Sequence, residues 1–519
     1  MSFEEYSAAL DAEVARWRAD LGARGFSDDG WTLRGRIEWN APEGPVTALI
    51  EIELVESFPF TPPVVRVLDP GADIEMTFHL AALARDDGQG GTLCLWDDEY
   101  ALDIAPWLDV DTLVARVRQW LEDTAAGWPG DDTCDLERYL PPAAHMIRYD
   151  GDTLRDLRGR CVRVAGKGTP ILTVTTEQRV VRRRRGSRGP YRKDRKLCWI
   201  GNLGEIDRPI RNWTDLYAVL GEHGRQVEQL VRAGIVRFLL LEYNRGGASA
   251  VLAVVVQPKP GTSGLAVAAA EAADISRTSR TLRGGHGSDT LADRSVAIVG
   301  AGAVGSYVAD LLFRSGIRKL TLIDFDRMRP GNVVRHTADA LTEGMFKVHA
   351  VRSRLALRGL DASQIVPIVG WVATRDEALH VLREHDVVVD ATASDRTTSL
   401  LVWTATATSS PLVSVCLQRQ GALARVDRYP LQADEEHLPP IQDTTDGPML
   451  REPGCGQLVS PTPPSAVVCA AELATGVVLD LLGDAPNLPS SLINVRVPQS
   501  ERPYDHIGLV TSQKYERAS

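Results

Sequence analysis

The chain has 519 residues, 44% hydrophobic and 24% charged, with a formal net charge of −11. That length allows roughly three domains with cores of their own. The acidic balance argues against a molecule built as a whole to wrap nucleic acid or to lie on anionic lipid. The N-terminus, MSFEEYSAALDAEVARW, carries early acidic residues and no apolar core segment, so a signal peptide is not expected. The most apolar late stretch, SAVVCAAELATGVVLDLL, is interrupted by Glu472 and Asp480 and is not expected to span a bilayer. A cytoplasmic protein without a membrane partner is the expectation. The seven cysteines are an odd number with no C-x-x-C pair, which argues against a disulfide framework and a tetrathiolate zinc site. Each is then a small core residue or a nucleophile.

Along the chain, an amphipathic helix is expected around residues 3–21, followed by alternating strands in WTLRGRIEWN, VTALIEIELV and VVRVLD. A helix in DVDTLVARVRQWLEDTAA closes this first unit, residues 1–145. WPGDDTCD and LPPAAH punctuate its end. Residues 146–270 read as a small α/β unit with strands ILTVTT, LCWIGNL, RFLLLEY and AVLAVVV. At least one helix is expected in WTDLYAVLGEHGRQVEQLVRAG. The basic run from Arg182 to Lys196 reads as a solvated hairpin, since no aromatic platform accompanies it, and nucleic acid is not an expected partner. The third unit spans residues 271–519.

That unit begins with a β-branched strand, a turn with Gly300, Gly302 and Gly305 in G-x-G-x-x-G spacing, and an apolar helix. The glycines permit a tight turn and close backbone approach, and a helix N-terminus favours phosphate. Alone, this pattern serves NAD and ATP equally. The next strand ends in Asp324, placed to accept from a ribose hydroxyl, with Asp326 two residues on. Asn332, Arg335 and Lys347 then add fixed polar and cationic groups beside the phosphates. Hydride transfer has no use for them, whereas attack on an ATP α-phosphate, with pyrophosphate leaving, does. A later strand ends at Asp390, with Asp395 just beyond, and either is a candidate Mg²⁺ ligand.

G-x-G-x-x-G, D-F-D, N-x-x-R, a Lys after Gly, and V-D-A-T, in this order, resemble the ThiF and ubiquitin-activating adenylation domain over roughly residues 275–498. The resemblance implies ATP and Mg²⁺ as cofactors, with Asp324 on the ribose and Asn332, Arg335 and Lys347 on the phosphates. It also implies a homodimer in which an Arg from the partner reaches the phosphates. Arg277, Arg280 and Arg283 lie in the matching lead-in. Where the family reads DATDN, this chain reads DATASDRT, which leaves Asp390 and Asp395 both open as the metal ligand. A cysteine downstream of the nucleotide core takes the acyl group as a thioester in that family. Cys455, in the Gly/Pro-rich REPGCGQLVSPTPPS, is the candidate, with Cys469 its rival.

The N-terminal unit resembles the ubiquitin-conjugating fold. FPFTPPVVRV stands where that family has its Pro-rich loop, GTLCLW holds Cys94 at the position of the catalytic cysteine, and Trp107 matches a family Trp. The usual His-Pro-Asn is absent, and His79 is the nearby polar side chain. Together the halves resemble the conjugation enzymes of type II CBASS anti-phage operons. The implied architecture is an α+β conjugating domain, a middle α/β linker domain and a C-terminal Rossmann-like adenylation domain. The implied activity is adenylation of a protein C-terminus, capture by Cys455, transfer to Cys94 and delivery to a target lysine amine. The cargo would be a CD-NTase, or alternatively a ubiquitin-like protein. A small-molecule or peptide adenylyltransferase for sulfur transfer, with a non-catalytic N-terminal domain, stays open as a third reading.

Overall fold

The computed structural model describes residues 2–74, 78–82, 91–96, 100–166, 168–178, 197–285, 290–441, 450–451 and 458–514. They form two units, Met1–Ser276 and Arg277–Ser519.

The first unit opens with a helix, Phe3–Ala23, started by a reciprocal capping pair between Ser2 and Glu5. Only Trp17 and Leu21 of this helix are buried. An antiparallel sheet follows, in the spatial order Ser27–Asp28, Thr32–Ala41, Gly44–Glu53, Val64–Asp69, Thr92–Leu93, Leu80–Ala82. The period-two pattern of TLRGRIEWNA buries Leu33, Ile37, Trp39 and Ala41 and leaves Arg34, Arg36 and Glu38 outside. Gly35 is needed on that inner face, because a Cβ there would sit 2.3 Å from the Phe26 ring. The helix Val110–Ala125 begins at Asp109, whose carboxylate accepts from the Thr112 N–H at 2.7 Å. It lays Leu113, Val117, Trp120 and Leu121 on the same core as Ile50, Leu93 and Leu95.

The middle of the chain closes into a seven-stranded barrel. Its strands run, in order around the barrel, Leu197–Glu205, Val236–Arg245, Ala248–Pro258, Leu265–Asp274, Pro142–Tyr149, Ile171–Gln178 and Cys161–Ala165, with the last pairing back onto the first. The stretch expected to hold at least one helix holds two, Trp213–Val219 and Gly224–Arg232. The break follows from Gly221, whose φ of +54° leaves the right-handed helical region. The basic run Arg182–Lys196 lies outside the described residues.

The second unit is an eight-stranded sheet in the order Ile365–Ile368, Lys319–Ile323, Ser295–Val299, Val387–Asp390, Leu412–Gln418, Leu423–Tyr429, Ser491–Val495, Gly508–Thr511. The first five strands are parallel and the last three antiparallel. Chain order reverses between Ser295–Val299 and Val387–Asp390, the switch point where doubly wound sheets open a crevice at their carboxyl ends. The apolar helix Pro464–Leu481 is long enough to cross a membrane, yet it is a core helix. Ala466, Val467, Ala470, Ala471, Ala474, Val477 and Val478 are all buried.

Candidate active site

The strand Ser295–Val299 delivers Gly300 at φ +94°, and a Cβ there would sit 2.7 Å from the Ala391 carbonyl across the switch point. Gly305 allows the helix Ala303–Arg314 to lie directly on the turn, since its Cβ would fall 1.9 Å from the Gly300 carbonyl. Gly302 precedes that helix, and a Cβ on it would meet nothing within 4 Å. The three glycines therefore do different work: two permit packing, and the third keeps the helix N-terminus bare toward open space.

That open space is a pocket of about 150 Å³ lined by Gly302, Ala303, Asn332, Arg335, His336 and Lys347. Asn332 and Arg335 come from the short helical turn Pro330–Arg335. The Asn332 side-chain oxygen accepts from the Arg329 N–H at 3.0 Å. Arg335 donates to the Ser460 carbonyl at 2.9 Å. Lys347 opens the helix Lys347–Ala356 and holds its ammonium 2.8 Å from the Asp326 carboxylate. His336 is buried, and burial lowers its pKa to about 4, so the ring is neutral near pH 7. Its Nδ1 accepts from the Ala338 N–H, which leaves Nε2 to donate to the Ala301 carbonyl at 2.9 Å. A neutral ring thus shores up the glycine turn from below.

Asp324 directly follows the strand Lys319–Ile323 and binds the turn through its carboxylate. One oxygen accepts from the Ala301 N–H at 2.8 Å, the other from the Asp326 N–H at 2.7 Å. Burial raises its pKa, opposed by those hydrogen bonds and by the charge of Lys347. Second lone pairs on both oxygens remain to accept from hydroxyls.

In the first unit, Cys94 is half-buried and reduced. Its N–H donates to the His79 carbonyl at 2.8 Å, and the Arg138 guanidinium donates to its sulfur at 3.3 Å. The His79 ring lies 2.7 Å from the Asp131 carboxylate and stacks against Trp128 at 3.9 Å. Burial works against the Asp131 anion, but bonds from Thr133, His79 and Arg245 hold it well below the usual carboxylate range. Trp107, matched to a conjugating-family Trp, is fully buried and donates to the Pro59 carbonyl at 2.9 Å.

The profile of the ThiF family matches residues 276–494. The C-terminal unit is a ThiF-family domain. Along the whole chain, the ATP-dependent ubiquitin transferase-like protein Cap2 of Pseudomonas aeruginosa is 24% identical, over 96% of this chain and 98% of its own length. The adenylyltransferase and sulfurtransferase MOCS3 of Aedes aegypti is 35% identical over 29% of this chain and 35% of its own. Among solved structures, Escherichia coli MccB with ATP covers 43% of this chain and 66% of its own at 18% identity and a TM-score of 0.33.

Within the ThiF domain the two candidate metal carboxylates differ sharply. Asp390 is buried, and its oxygens take hydrogen bonds from the Thr392 N–H and hydroxyl, the Thr398 hydroxyl and the Ser414 hydroxyl. Asp395, at the start of the helix Asp395–Thr408, is exposed. No cluster of three or more metal-ligating side chains occurs among the described residues. Magnesium carried by ATP needs only one or two protein carboxylates, because phosphate and water oxygens complete its shell. Asp395 fits that demand better than Asp390, whose oxygens are committed.

Cys455 lies in 452–457, outside the described residues. The strands on either side, Leu450–Arg451 and Leu458–Val459, pair antiparallel, and Ser460 just beyond is the residue tied to Arg335. Its rival Cys469 sits half-buried on the helix Pro464–Leu481, packed against the sheet core, with its pKa raised by burial. Of the lead-in arginines, Arg277 and Arg280 belong to the short helix Arg277–Thr281, and the Arg280 guanidinium lies against Gly359. Arg283 follows, exposed. Sequence reasoning missed Arg138. Its only signal was a lone Arg among acidic residues in DLERYL, and nothing in that spacing reports on a cysteine 44 residues away.

Proposed function

We propose that this chain activates a protein C-terminal carboxylate with ATP and passes it through two cysteine thioesters to an amine. The chain is an ATP-dependent adenylating enzyme, and its ThiF domain supplies that step. The observation that carries the reading is the pocket in which a bare helix N-terminus, Asn332, Arg335 and Lys347 face one small volume. Such an array favours a polyphosphate and the charge that grows as pyrophosphate departs. Gly300, Gly305, Asp324 and Asp326 would frame the rest of the nucleotide, and Asp395 would hold its Mg²⁺.

The acyl-adenylate is attacked by the Cys455 thiolate, which forms a C–S bond as AMP leaves. Exchange with the Cys94 sulfur and aminolysis by a target lysine complete the relay. Two thiols on one polypeptide make the handover intramolecular, with an effective concentration in place of a second encounter. The alignment with Cap2 supports this over sulfur transfer, because it runs through both the Cys94 unit and the ThiF domain. The MOCS3 of Aedes aegypti aligns over 29% of this chain and that of Danio rerio over 40%. The proposed cargo is the C-terminus of a CD-NTase in anti-phage defence, the proposed assembly a homodimer.

The test is the intact mass of Cys94→Ser, purified without reductant from the native host. Serine in place of the thiol should hold the acyl group as a more stable ester. An added polypeptide mass supports the relay and identifies the cargo, separating a CD-NTase from a ubiquitin-like protein. A bare chain that still exchanges pyrophosphate into ATP would limit the function to adenylation and leave Cys94 structural.

A further inference from the structure

The sulfur of Cys94 has one charged neighbour within hydrogen-bond distance among the described residues, the Arg138 guanidinium at 3.3 Å. The contact is fixed from both sides. Arg138 sits in the turn Leu136–Tyr139, pinned by the buried side chains of Leu136 and Tyr139. The Tyr139 hydroxyl accepts from the His79 N–H at 2.8 Å, and the His79 carbonyl accepts from the Cys94 N–H at 2.8 Å. One residue, His79, thus sets the spacing between the turn that carries the guanidinium and the strand end that carries the thiol. Asp135 lies 3.5 Å from the Arg138 Nε, while the sulfur is met by a different guanidinium nitrogen. The Arg138 side chain stays 53% exposed, so a macromolecular acyl donor or acceptor can reach the pair. The His79 ring, the other polar group close in sequence, is committed to Asp131 and Trp128.

We propose that Arg138 is a catalytic residue at Cys94, donating to the reacting sulfur and stabilising the oxyanion of acyl transfer. The oxyanion role rests on the reading of Cys94 as a thioester acceptor. In discharge, an amine nitrogen forms a bond to the thioester carbonyl carbon, and the C=O π pair moves to oxygen. The guanidinium N–H groups stabilise that oxyanion. The pair then returns, the C–S bond breaks with its electrons on sulfur, and the amine's surplus proton leaves to solvent. The departing Cys94 thiolate regains the Arg138 hydrogen bond it had before charging. A planar guanidinium with five donors can serve sulfur and oxygen in turn without moving its backbone.

The test uses the full chain and iodoacetamide as the probe. Carbamidomethylation of Cys94 near neutral pH is followed by peptide mass in wild type, Arg138→Ala and Arg138→Lys, with the buried Cys198 as the internal control for folding. Arg138→Ala should react about ten-fold more slowly, and Arg138→Lys, which keeps the charge, should fall between the two. Equal rates in all three would overturn the proposal. The Cys94→Ser adduct separates the two readings. An adduct with unchanged alkylation in Arg138→Ala leaves the relay standing without Arg138. Slowed alkylation with a bare Cys94→Ser chain keeps the contact between Arg138 and the sulfur and removes the oxyanion role together with the relay.

Discussion

Lys347 and Asp326 are joined twice, by an ammonium–carboxylate contact of 2.8 Å and by a backbone bond of 2.8 Å from the Lys347 N–H to the Asp326 carbonyl. The backbone bond fixes where the helix Lys347–Ala356 begins, and the ion pair aims the ammonium along the wall of the phosphate pocket. Lys347 is therefore oriented before nucleotide arrives. Lys347→Ala should weaken ATP binding by about 1.5–3 kcal/mol, the range for hydrogen bonds to charged groups. Isothermal titration with ATP measures it. An affinity within two-fold of wild type would remove Lys347 from the site.

Gly302 and Gly305 make opposite predictions although they belong to one motif. Gly305→Ala forces a Cβ to 1.9 Å from a backbone carbonyl, so the helix Ala303–Arg314 must lift off its strand. A loss of at least ~3 kcal/mol in folding stability is expected, in the class of strained core substitutions. Gly302→Ala has room and an ordinary φ of −78°. Its fold should hold within ~0.5 kcal/mol, while the methyl group enters the space claimed by phosphate and ATP affinity drops. Paired urea melts and ATP titrations separate the two effects. A Gly302→Ala chain that binds ATP like wild type would displace the phosphates from that spot.

Much of the ThiF domain was legible because its signals are local. An apolar strand, spaced glycines and a strand-end aspartate follow each other within 30 residues, and periodicity alone places them. The same holds for Thr32–Ala41, where alternation names the inward residues. The rest depends on residues distant in the chain. That the helical stretch after Trp213 divides at Gly221 is a choice between packing two short apolar faces and one long one, which local propensity does not decide. The mid-chain barrel is set by the pairing of Leu197–Glu205 with Cys161–Ala165, a closure that no strand announces by itself. The surroundings of Cys94 were invisible for the same reason: Arg138 and Asp131 meet Cys94 and His79 only after the chain has turned back on them.

His336 gives the ThiF domain a pH signature. Its pKa is about 4 in the folded chain and near 6.5 when unfolded. Between those values the unfolded chain binds more protons, so stability rises with pH across that window and is lost as acid is added. The full difference amounts to about 3 kcal/mol. His336→Gln cannot take up the proton. The stability gap between wild type and variant, in which other titrating groups cancel, should narrow steadily from pH 7 toward pH 4. A gap that stays constant over that range would mean His336 is solvated or paired in a way that burial does not dominate.

Arg245 and Asp131 supply the last prediction. Their side chains are 7% and 11% exposed, and Arg245, at the end of a barrel strand, also lies over the Phe78 ring at 3.2 Å. A buried pair of this kind contributes little by being present and costs much when halved, because the surviving charge has lost its partner. Arg245→Met should therefore destabilise the first unit by about 3 kcal/mol, and it should loosen His79, which shares Asp131 with Arg245. The double variant Arg245→Met/Asp131→Leu removes both charges and should recover a large part of that loss, even though it changes more atoms. Urea melts of the two single variants and the double variant form a cycle with a strongly favourable coupling term. Additive losses would show that the two side chains act independently. In that case the barrel strand would contribute to the Cys94 region through apolar contact alone, and Phe78 rather than Asp131 would be the residue through which it does so.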